Sequence, residues 1–171
     1  MTSKEIIKIL NSGGIGVLPT DTLYGLVGRA VDKKAVRRIY EVKGRPKDKK
    51  FITLISSLKD LQKLGIVLNA KQKKIVSRFW PGPVSIVLAG TAIRFPKHTL
   101  LQKIIAKTGP LVAPSANPSG LSPAETISEA KKYFGDAVDF YVSAGRLRGL
   151  PSTLISIENG IKVLRQGRVK I

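Results

Sequence analysis

The chain of 171 residues carries 30 lysines and arginines against 11 acidic residues, a formal net charge of +19, and it contains one histidine and no cysteine. This length suits one domain over residues 1–171, and the composition excludes disulfides, thiolate zinc sites, cysteine nucleophiles and histidine-rich metal sites. The charge favours polyanionic partners such as nucleic acid, nucleotides or anionic lipid, although a solvated lysine-rich surface gives the same value. A polar N-terminus and the lack of a long apolar run predict a soluble, cytoplasmic protein that does not enter a membrane.

Apolar residues at helical spacing, together with capping residues, predict six helices. They cover residues 3–11, 32–42, 58–64, 69–79, 98–107 and 123–134. Ser122, Pro123 and Glu125 form a capping-box pattern that is expected to start the last of these helices. His98 is expected to cap the helix that follows it or to lie on the surface, and Trp80 is expected to anchor the core.

Short apolar runs predict the strands of a sheet. They cover residues 15–18, 51–55, 84–88, 92–95, 111–113, 138–142, 153–157 and 161–164. Asn159-Gly160 lies between the last two runs and indicates an antiparallel hairpin. Helices that alternate with strands, together with this hairpin, predict an α/β domain with a mixed sheet.

Three loops carry more polar chemistry than a turn requires. Residues 19–28 begin Pro-Thr-Asp-Thr, residues 43–46 read Lys-Gly-Arg-Pro, and residues 113–117 read Ala-Pro-Ser-Ala-Asn. Each has a purely structural interpretation: a turn held by hydroxyls, a helix ended by glycine with cations opposing its dipole, and an Asx or Ser turn. The functional interpretation is an anion site, because lysine and arginine neutralise phosphate while serine and asparagine bind phosphate or sugar.

Arg94, residues 151–153 (Pro-Ser-Thr) and Arg165 extend this pattern. Taken together, these features favour one anion-binding site over a set of unrelated turns. Without cysteine, and with one histidine, the chain is best suited to chemistry that depends on positioning and charge neutralisation. No phosphate-binding loop of the Gly-x-x-x-x-Gly-Lys-Ser/Thr type and no Gly-x-Gly-x-x-Gly is present, so a nucleotide would be held by an uncommon scheme.

Seven motifs follow one another along the chain: PTDTLYGL, IYEVKGRP, FWPGPVSIVL, IRFPKH, APSANPSG, PSTLIS and VLRQG. With them the sequence resembles, over nearly its whole length, the YrdC-like threonylcarbamoyl-AMP synthases in their single-domain form. The resemblance implies a dsRBD-like α/β fold, a twisted open mixed sheet flanked by helices with a large basic concave face. It also implies a nucleotidyltransferase that converts L-threonine, bicarbonate and ATP into threonylcarbamoyl-AMP and pyrophosphate. The product would feed tRNA modification through a separate transferase complex.

The resemblance also implies roles for individual residues. Thr22, Tyr24 and Arg94 match positions that bind threonine and bicarbonate, and Lys43 and Arg45 match the catalytic cations that face the ATP phosphates and the carbamate. The expected ATP contacts are Lys43, Arg45, Lys49, Ser115, Asn117, Ser122, Ser152 and Arg165. Mg²⁺ is expected to arrive with ATP, without metal ligands from protein side chains.

The chain departs from the family pattern in three places. Pro151 and Ser156 lie at an edge where many relatives carry acidic residues, and Lys50-Phe51 stands where relatives often have Pro-Leu. Leu54 occupies the region in which archaeal relatives place a histidine. These departures leave the contacts to threonine open at that side of the site.

Two other functions fit parts of the sequence. A non-catalytic module could bind tRNA or double-stranded RNA through its basic face, although the chain shows no RNP-type aromatic cluster. A domain of the same fold could instead transfer a carbamoyl group from carbamoyl phosphate. The pyrophosphate released from ATP with threonine and bicarbonate separates these possibilities.

Overall fold

The computed structural model describes residues 1–171 and contains six α-helices, one short 3₁₀ helix and nine strands. The helices are α1 (Ser3–Asn11), α2 (Lys33–Lys43), α3 (Asp60–Lys63), α4 (Ala70–Phe79), α5 (Thr99–Thr108) and α6 (Ile127–Phe134), with the 3₁₀ helix at Gly135–Ala137. The strands are β1 (Gly16–Pro19), β2 (Tyr24–Arg29), β3 (Thr53–Leu54), β4 (Val84–Leu88), β5 (Thr91–Arg94), β6 (Leu111–Val112), β7 (Phe140–Tyr141), β8 (Thr153–Ser156) and β9 (Lys162–Arg165). No helix is both long and apolar enough to span a bilayer.

All nine strands form one mixed sheet in the order β7-β1-β2-β6-β3-β5-β4-β8-β9. The pairs β1–β7, β3–β5 and β4–β8 are parallel, and the remaining pairs are antiparallel. The β8–β9 pair joins Ser156 to Lys162 across the Asn159-Gly160 turn, which confirms the predicted hairpin. The mixed α/β architecture predicted from the sequence is therefore confirmed.

Helices cover both faces of the sheet because consecutive strand residues point to opposite sides. In β1, Val17 packs into a buried cluster with α2 and α6, while its neighbour Leu18 packs into a second cluster with α1 and α5. In β2, Leu26 and Val27 divide between the same two clusters. A third cluster lies under α3 and α4. Burial of these apolar side chains is the main stabilising contribution, at about 25 cal/mol per Å² of apolar surface.

The segment of residues 143–152, called the strap below, connects opposite ends of the sheet. It leaves β7 at one edge and enters β8, which is one strand from the other edge. With a strand spacing of about 4.8 Å, these two strands are separated by roughly 34 Å along the sheet. The strap has no regular secondary structure. It therefore runs from one side of the sheet to the other without pairing as a strand, and it bends at Gly145, whose φ is 76°.

Three predicted features of single residues are confirmed. His98 is the N-cap of α5, and its Nδ1 accepts a hydrogen bond from the Leu101 amide at 3.3 Å. Trp80 is buried in the cluster under α4, and its indole Nε1 donates to the Val84 carbonyl at 2.8 Å. Gly44 ends α2 in the left-handed conformation, with φ 58°, so the interpretation of this glycine as a helix cap is correct.

The predicted start of the last helix is wrong. Helix α6 begins at Ile127, and its N-cap is Thr126, whose hydroxyl accepts a hydrogen bond from the Glu129 amide at 3.2 Å. The expected capping box at 122–125 does not form, because this segment is bound to another loop: the Ala124 amide donates to the Ala116 carbonyl at 3.0 Å. The buried Ala124 side chain makes this attachment part of the core.

The sequence prediction also missed β2. Residues 19–28 were expected to form a loop, whereas Tyr24–Arg29 pairs with β1 on one side and β6 on the other. Two glycines weaken the strand propensity of this segment. Gly28 is tightly packed, because a Cβ there would lie 3.0 Å from side-chain atoms of Ile15 and Ile39.

Candidate functional site

The three polar loops and the strap meet around one open cavity of about 510 Å³. Its walls come from the ends of β1, β5 and β6, from the loop after α2, and from the end of the strap. The lining includes seven residues singled out from the sequence: Thr22, Tyr24, Arg45, Arg94, Ser115, Ser152 and Arg165. Residues that are far apart in the chain thus converge on one pocket. Their roles toward substrates stay predictions.

The charge of the cavity lining is entirely positive. Arg45, Lys50, Arg94 and Arg165 contribute cations, and no aspartate or glutamate lines the cavity. No group of three or more histidine, cysteine, aspartate or glutamate side chains lies close enough together to hold a metal ion. The lining therefore suits a ligand that carries several negative charges.

The cations influence one another along a continuous row. Burial lowers the pKa of Arg165, and the neighbouring charge of Arg45 lowers it further. Burial also lowers the pKa of Arg94, where Asp21 opposes the effect and Arg165 adds to it. At the other end, burial lowers the pKa of Lys43 to about 8, with a further contribution from Arg45. A bound anion would relieve this mutual repulsion of like charges.

Arg94 is held by the loop that follows β1. Its Nη1 donates to the Thr22 hydroxyl at 3.2 Å and its Nη2 to the Thr20 hydroxyl at 3.5 Å. Nη2 also lies 3.3 Å from Oδ1 of Asp21, an ion pair without hydrogen-bond alignment. The buried Nε of Arg94 has no hydrogen-bond partner. The guanidinium is thus fixed in place but retains an unused donor.

The Thr20 hydroxyl shapes this loop. It donates to the Leu23 carbonyl at 2.7 Å and accepts from the amides of Thr22 and Leu23 at 3.2 and 3.3 Å. The turn expected from its hydroxyls therefore exists, and it presents the Thr22 side chain toward Arg94. Gly25 follows on β2, where a Cβ would come within 3.2 Å of the Thr20 methyl group.

Tyr24 lines the cavity, but its hydroxyl contacts the strap. The hydroxyl donates to the Gly145 carbonyl at 2.7 Å and accepts from the Ala144 amide at 2.8 Å. The side chain is fully buried. Because both bonds go to the backbone of the strap, Tyr24 holds the strap against the sheet, and its hydroxyl is already fully used by these contacts. No local sequence pattern indicated this contact.

Lys43 lies outside the cavity lining, beneath the loop of residues 113–117. Its Nζ donates to the carbonyls of Ser115 and Asn117 at 2.6 and 2.5 Å and lies 3.3 Å from Oδ1 of Asn117. The Ser115 hydroxyl donates to the same Oδ1 at 2.6 Å. Lys43 was expected to face the substrate phosphates. In the structure its ammonium is instead buried and supports this loop.

Arg45 does face the cavity. Its Nε donates to the Lys49 carbonyl at 2.9 Å, and its guanidinium lies 5.5 Å from the ring centre of Phe51. Phe51 in turn stacks on Tyr40, with ring centres 4.1 Å apart. The guanidinium is therefore oriented by a stacked pair of rings, and its two terminal nitrogens remain available for phosphate oxygens.

Ser152 and Arg165 form the opposite wall. The Ser152 hydroxyl is 2.8 Å from the Ser85 hydroxyl, and Arg165 Nη2 donates to the Ser152 carbonyl at 2.9 Å. The guanidinium of Arg165 is thus attached to the end of the strap, which links the last hairpin to the pocket.

Besides Lys43, three more predicted ATP contacts do not line the cavity: Lys49, Asn117 and Ser122. Asn117 is buried and its amide donates to the carbonyls of Pro118 and Leu121 at 3.1 and 2.6 Å, so it fixes the loop. Ser122 lines a separate, shallow depression beside α6. Lys49 is exposed, while the next residue, Lys50, lines the cavity. Lys50 was not selected from the sequence as a site residue. Its position in the dense basic cluster of residues 43–50 was the sequence feature that could have identified it.

The chain matches known proteins in both sequence and structure. A family model for Sua5, YciO and YrdC, described as "Telomere recombination", matches residues 8–167. The threonylcarbamoyl-AMP synthase of Pyrococcus abyssi is 34% identical over 91% of this chain and 50% of its own length, and that of Hahella chejuensis is 32% identical over 95% and 97%. A crystal structure of P. abyssi Sua5 complexed with L-threonine is 30% identical, with a TM-score of 0.85 over 96% of this chain and 54% of that one.

The chain belongs to the Sua5/YciO/YrdC family. It spans about half the length of the P. abyssi relative and nearly all of the H. chejuensis relative. The fold and the matched residues therefore correspond to the domain that these proteins share.

Proposed function

We propose that this protein is a threonylcarbamoyl-AMP synthase. The observation that carries the proposal is the cavity with four cationic side chains and no carboxylate, built from loops that resemble those of the family. The reaction joins two anions, the carbamate formed from threonine and bicarbonate and the triphosphate of ATP. Fixed positive charge lowers the cost of bringing two anions together. The curated relatives named threonylcarbamoyl-AMP synthase support the same function.

In the proposed reaction, the amine of threonine first attacks the carbon of bicarbonate, one C–O bond of bicarbonate breaks, and water leaves to give a carbamate. An oxygen of the carbamate then attacks the α-phosphorus of ATP, and the bond from the α-phosphorus to the bridging oxygen breaks, so that pyrophosphate leaves. Neither step needs a protein nucleophile. The work of the protein is to hold the two reactants in line and to neutralise charge.

The two ends of the cavity suit the two substrates. Arg94 with Thr22 forms the amino-acid end, where the guanidinium of Arg94 lines the cavity and supplies positive charge for a carboxylate. A relative of this fold has been crystallised with L-threonine, which supports an amino-acid site in this domain. Arg45, Lys50 and Arg165 form the nucleotide end, since three separate cations match a triphosphate better than one carboxylate.

Magnesium enters this proposal with ATP. The cavity lining supplies no carboxylate, so the oxygen ligands would come from phosphates and water, as is common for Mg²⁺. Bound magnesium would neutralise part of the triphosphate charge. The protein side chains orient the nucleotide through Arg45 and Arg165.

The product would serve the threonylcarbamoyladenosine modification of tRNA through a separate transferase complex. The cysteine-free chain is compatible with a cytoplasmic setting, in which this modification would take place. Direct binding of tRNA is not required for this role, because an adenylate is a small molecule that can pass to the next enzyme.

The decisive experiment mixes the purified chain with ATP, bicarbonate and L-threonine and measures pyrophosphate. Release that depends on threonine supports the synthase, and mass spectrometry of the adenylate identifies the product. If no pyrophosphate is released and the protein binds RNA tightly, with an affinity that falls steeply as salt is added, the RNA-binding function would replace the synthase function. Activity with carbamoyl phosphate but not with threonine and bicarbonate would indicate the carbamoyl-transfer function instead.

A further inference from the structure

The residues after β9 fold back over the start of β8. Thr153 Oγ1 donates to the Val169 carbonyl at 2.6 Å and accepts from the amides of Gly167 and Val169 at 3.1 and 3.2 Å. The Arg168 amide donates to the Pro151 carbonyl at 2.9 Å. Gly167 fits closely here, because a Cβ would collide with the Pro151 carbonyl oxygen. The backbone of residues 167–169 is therefore fixed without help from the Arg168 side chain.

From this fixed backbone, the Arg168 side chain reaches the loop at the amino-acid end of the cavity. Its Nη1 donates to the carbonyl oxygen of Asp21 at 2.7 Å. That carbonyl belongs to the peptide that joins Asp21 to Thr22, and the amide of the same peptide donates to the Thr20 hydroxyl at 3.2 Å. The peptide is thus held at both of its polar atoms.

The Asp21 side chain is held as well. Its Oδ2 accepts from the Lys97 amide at 3.2 Å, and its Oδ1 faces Arg94. The Asp21 carbonyl, in contrast, has the Arg168 guanidinium as its hydrogen-bond donor. Loss of this donor would leave the peptide held through its amide alone. A tilt of the released carbonyl would then shift the Thr22 hydroxyl relative to Arg94.

We propose that Arg168 is a positioning residue for the amino-acid substrate. It fixes the Asp21–Thr22 peptide and so keeps Thr22 directed at Arg94, although it does not line the cavity itself. The effect of Arg168 on the kinetics of threonine use rests on the proposed function. The brace itself is a property of the folded chain and can be tested without catalysis.

The kinetic test compares Arg168→Met, Arg168→Lys and the wild-type protein. The methionine variant keeps the stem but lacks a donor, so we expect the KM for threonine to rise about fivefold, as for the loss of one ordinary hydrogen bond. The KM for ATP and the kcat at saturating threonine should stay within twofold. The lysine variant should recover most of the affinity. Lys170→Met, at an exposed neighbour, is the control.

A purely structural role would instead lower the thermal midpoint and raise both KM values together. An unchanged KM for threonine in Arg168→Met, or equal losses in the lysine and methionine variants, overturns the proposal.

Amide exchange in residues 20–24 tests the brace independently of activity. Exchange there should accelerate in Arg168→Met and remain unchanged in Lys170→Met. If the wild-type protein shows no threonine-dependent turnover, the proposed function fails while accelerated exchange still supports the brace. Unchanged exchange in Arg168→Met overturns the brace whether or not the enzyme is active.

Discussion

Arg94 Nη2 lies 3.3 Å from Oδ1 of Asp21, and both side chains are almost completely buried. Asp21 does not line the cavity, whereas Arg94 does. The carboxylate of Asp21 therefore balances the charge of the buried guanidinium on the side away from the cavity. The side of the guanidinium that faces the cavity is left for a ligand. Asp21 therefore has a supporting role in the Pro-Thr-Asp-Thr motif, in which it lies between two threonines.

Asp21→Asn should destabilise the fold, because it leaves the buried charge of Arg94 without a counterion. Removing one partner of a buried pair typically costs about 3 kcal/mol or more in the free energy of unfolding. Urea denaturation measures this change. Asp48→Asn is the control, since Asp48 is exposed. Adding Arg94→Met to the Asp21 variant should restore part of the loss, and additive losses would contradict the charge-balance explanation.

The pKa of Lys43, lowered to about 8 by burial and by Arg45, predicts a pH dependence of turnover. Below pH 8 the ammonium is charged and its bonds to the Ser115 and Asn117 carbonyls are at full strength. Above pH 8 it loses its proton, so these bonds weaken and the rate should fall. The pH profile of kcat/KM between pH 7 and 9.5 tests this expectation.

Lys43→Arg serves as the comparison for this profile. Arginine keeps its charge throughout the pH range, so the fall above pH 8 should disappear even if the variant is slower overall. A decline of the same shape in Lys43→Arg would assign the titration to another group.

Tyr24→Phe should loosen the strap. The substitution removes both hydrogen bonds to residues 144 and 145, and we expect a loss of about 1–2 kcal/mol in unfolding free energy. Amide exchange in residues 143–149 should accelerate. Tyr133→Phe is a matched control, because its hydroxyl makes one exposed hydrogen bond to the Ser122 carbonyl. Equal effects of the two substitutions would show that the strap does not depend on Tyr24.

Lys50→Met should weaken nucleotide binding. Lys50 lines the cavity, and its Nζ makes one hydrogen bond, to the Gly90 carbonyl at 3.2 Å, which leaves donors for a phosphate. We expect the KM for ATP to rise roughly three- to tenfold and to depend less on salt, as for loss of one partly solvated charge contact. The KM for threonine should stay unchanged. Lys47→Met, outside the cavity, should leave both values as they are.

The elements with strong local signals were predicted well from the sequence. Asn159-Gly160 favours a tight turn by its backbone preferences, and the hairpin β8–β9 formed as expected. Gly44 and His98 ended and began helices as local capping rules predict. The basic loop of residues 43–46 and the Ser115 loop meet at one cavity, since Arg45 and Ser115 both line it.

The wrong predictions of secondary structure have a common physical cause. Local sequence signals compete with contacts between residues that are far apart in the chain. A capping-box pattern at 122–125 was overridden because Ala124 is bound to the Ala116 loop, and the helix begins after Thr126 instead. The strand β2 gave no clear pattern, because two glycines interrupt its apolar sequence, and both of them pack closely against side chains of other segments.

The sequence by itself determined the mixed α/β class, the ends of several helices and the basic and hydroxyl residue types of the loops that meet at one cavity, because these follow from local propensity and side-chain chemistry. The tertiary structure alone decided that Asp21 balances Arg94, that Lys43 lies beneath a loop, that Lys50 reaches the cavity and that Arg168 holds the Asp21 carbonyl. Each of these contacts joins residues that are distant in the chain. Their geometry depends on the strand order and on the path of the strap, which no short segment specifies.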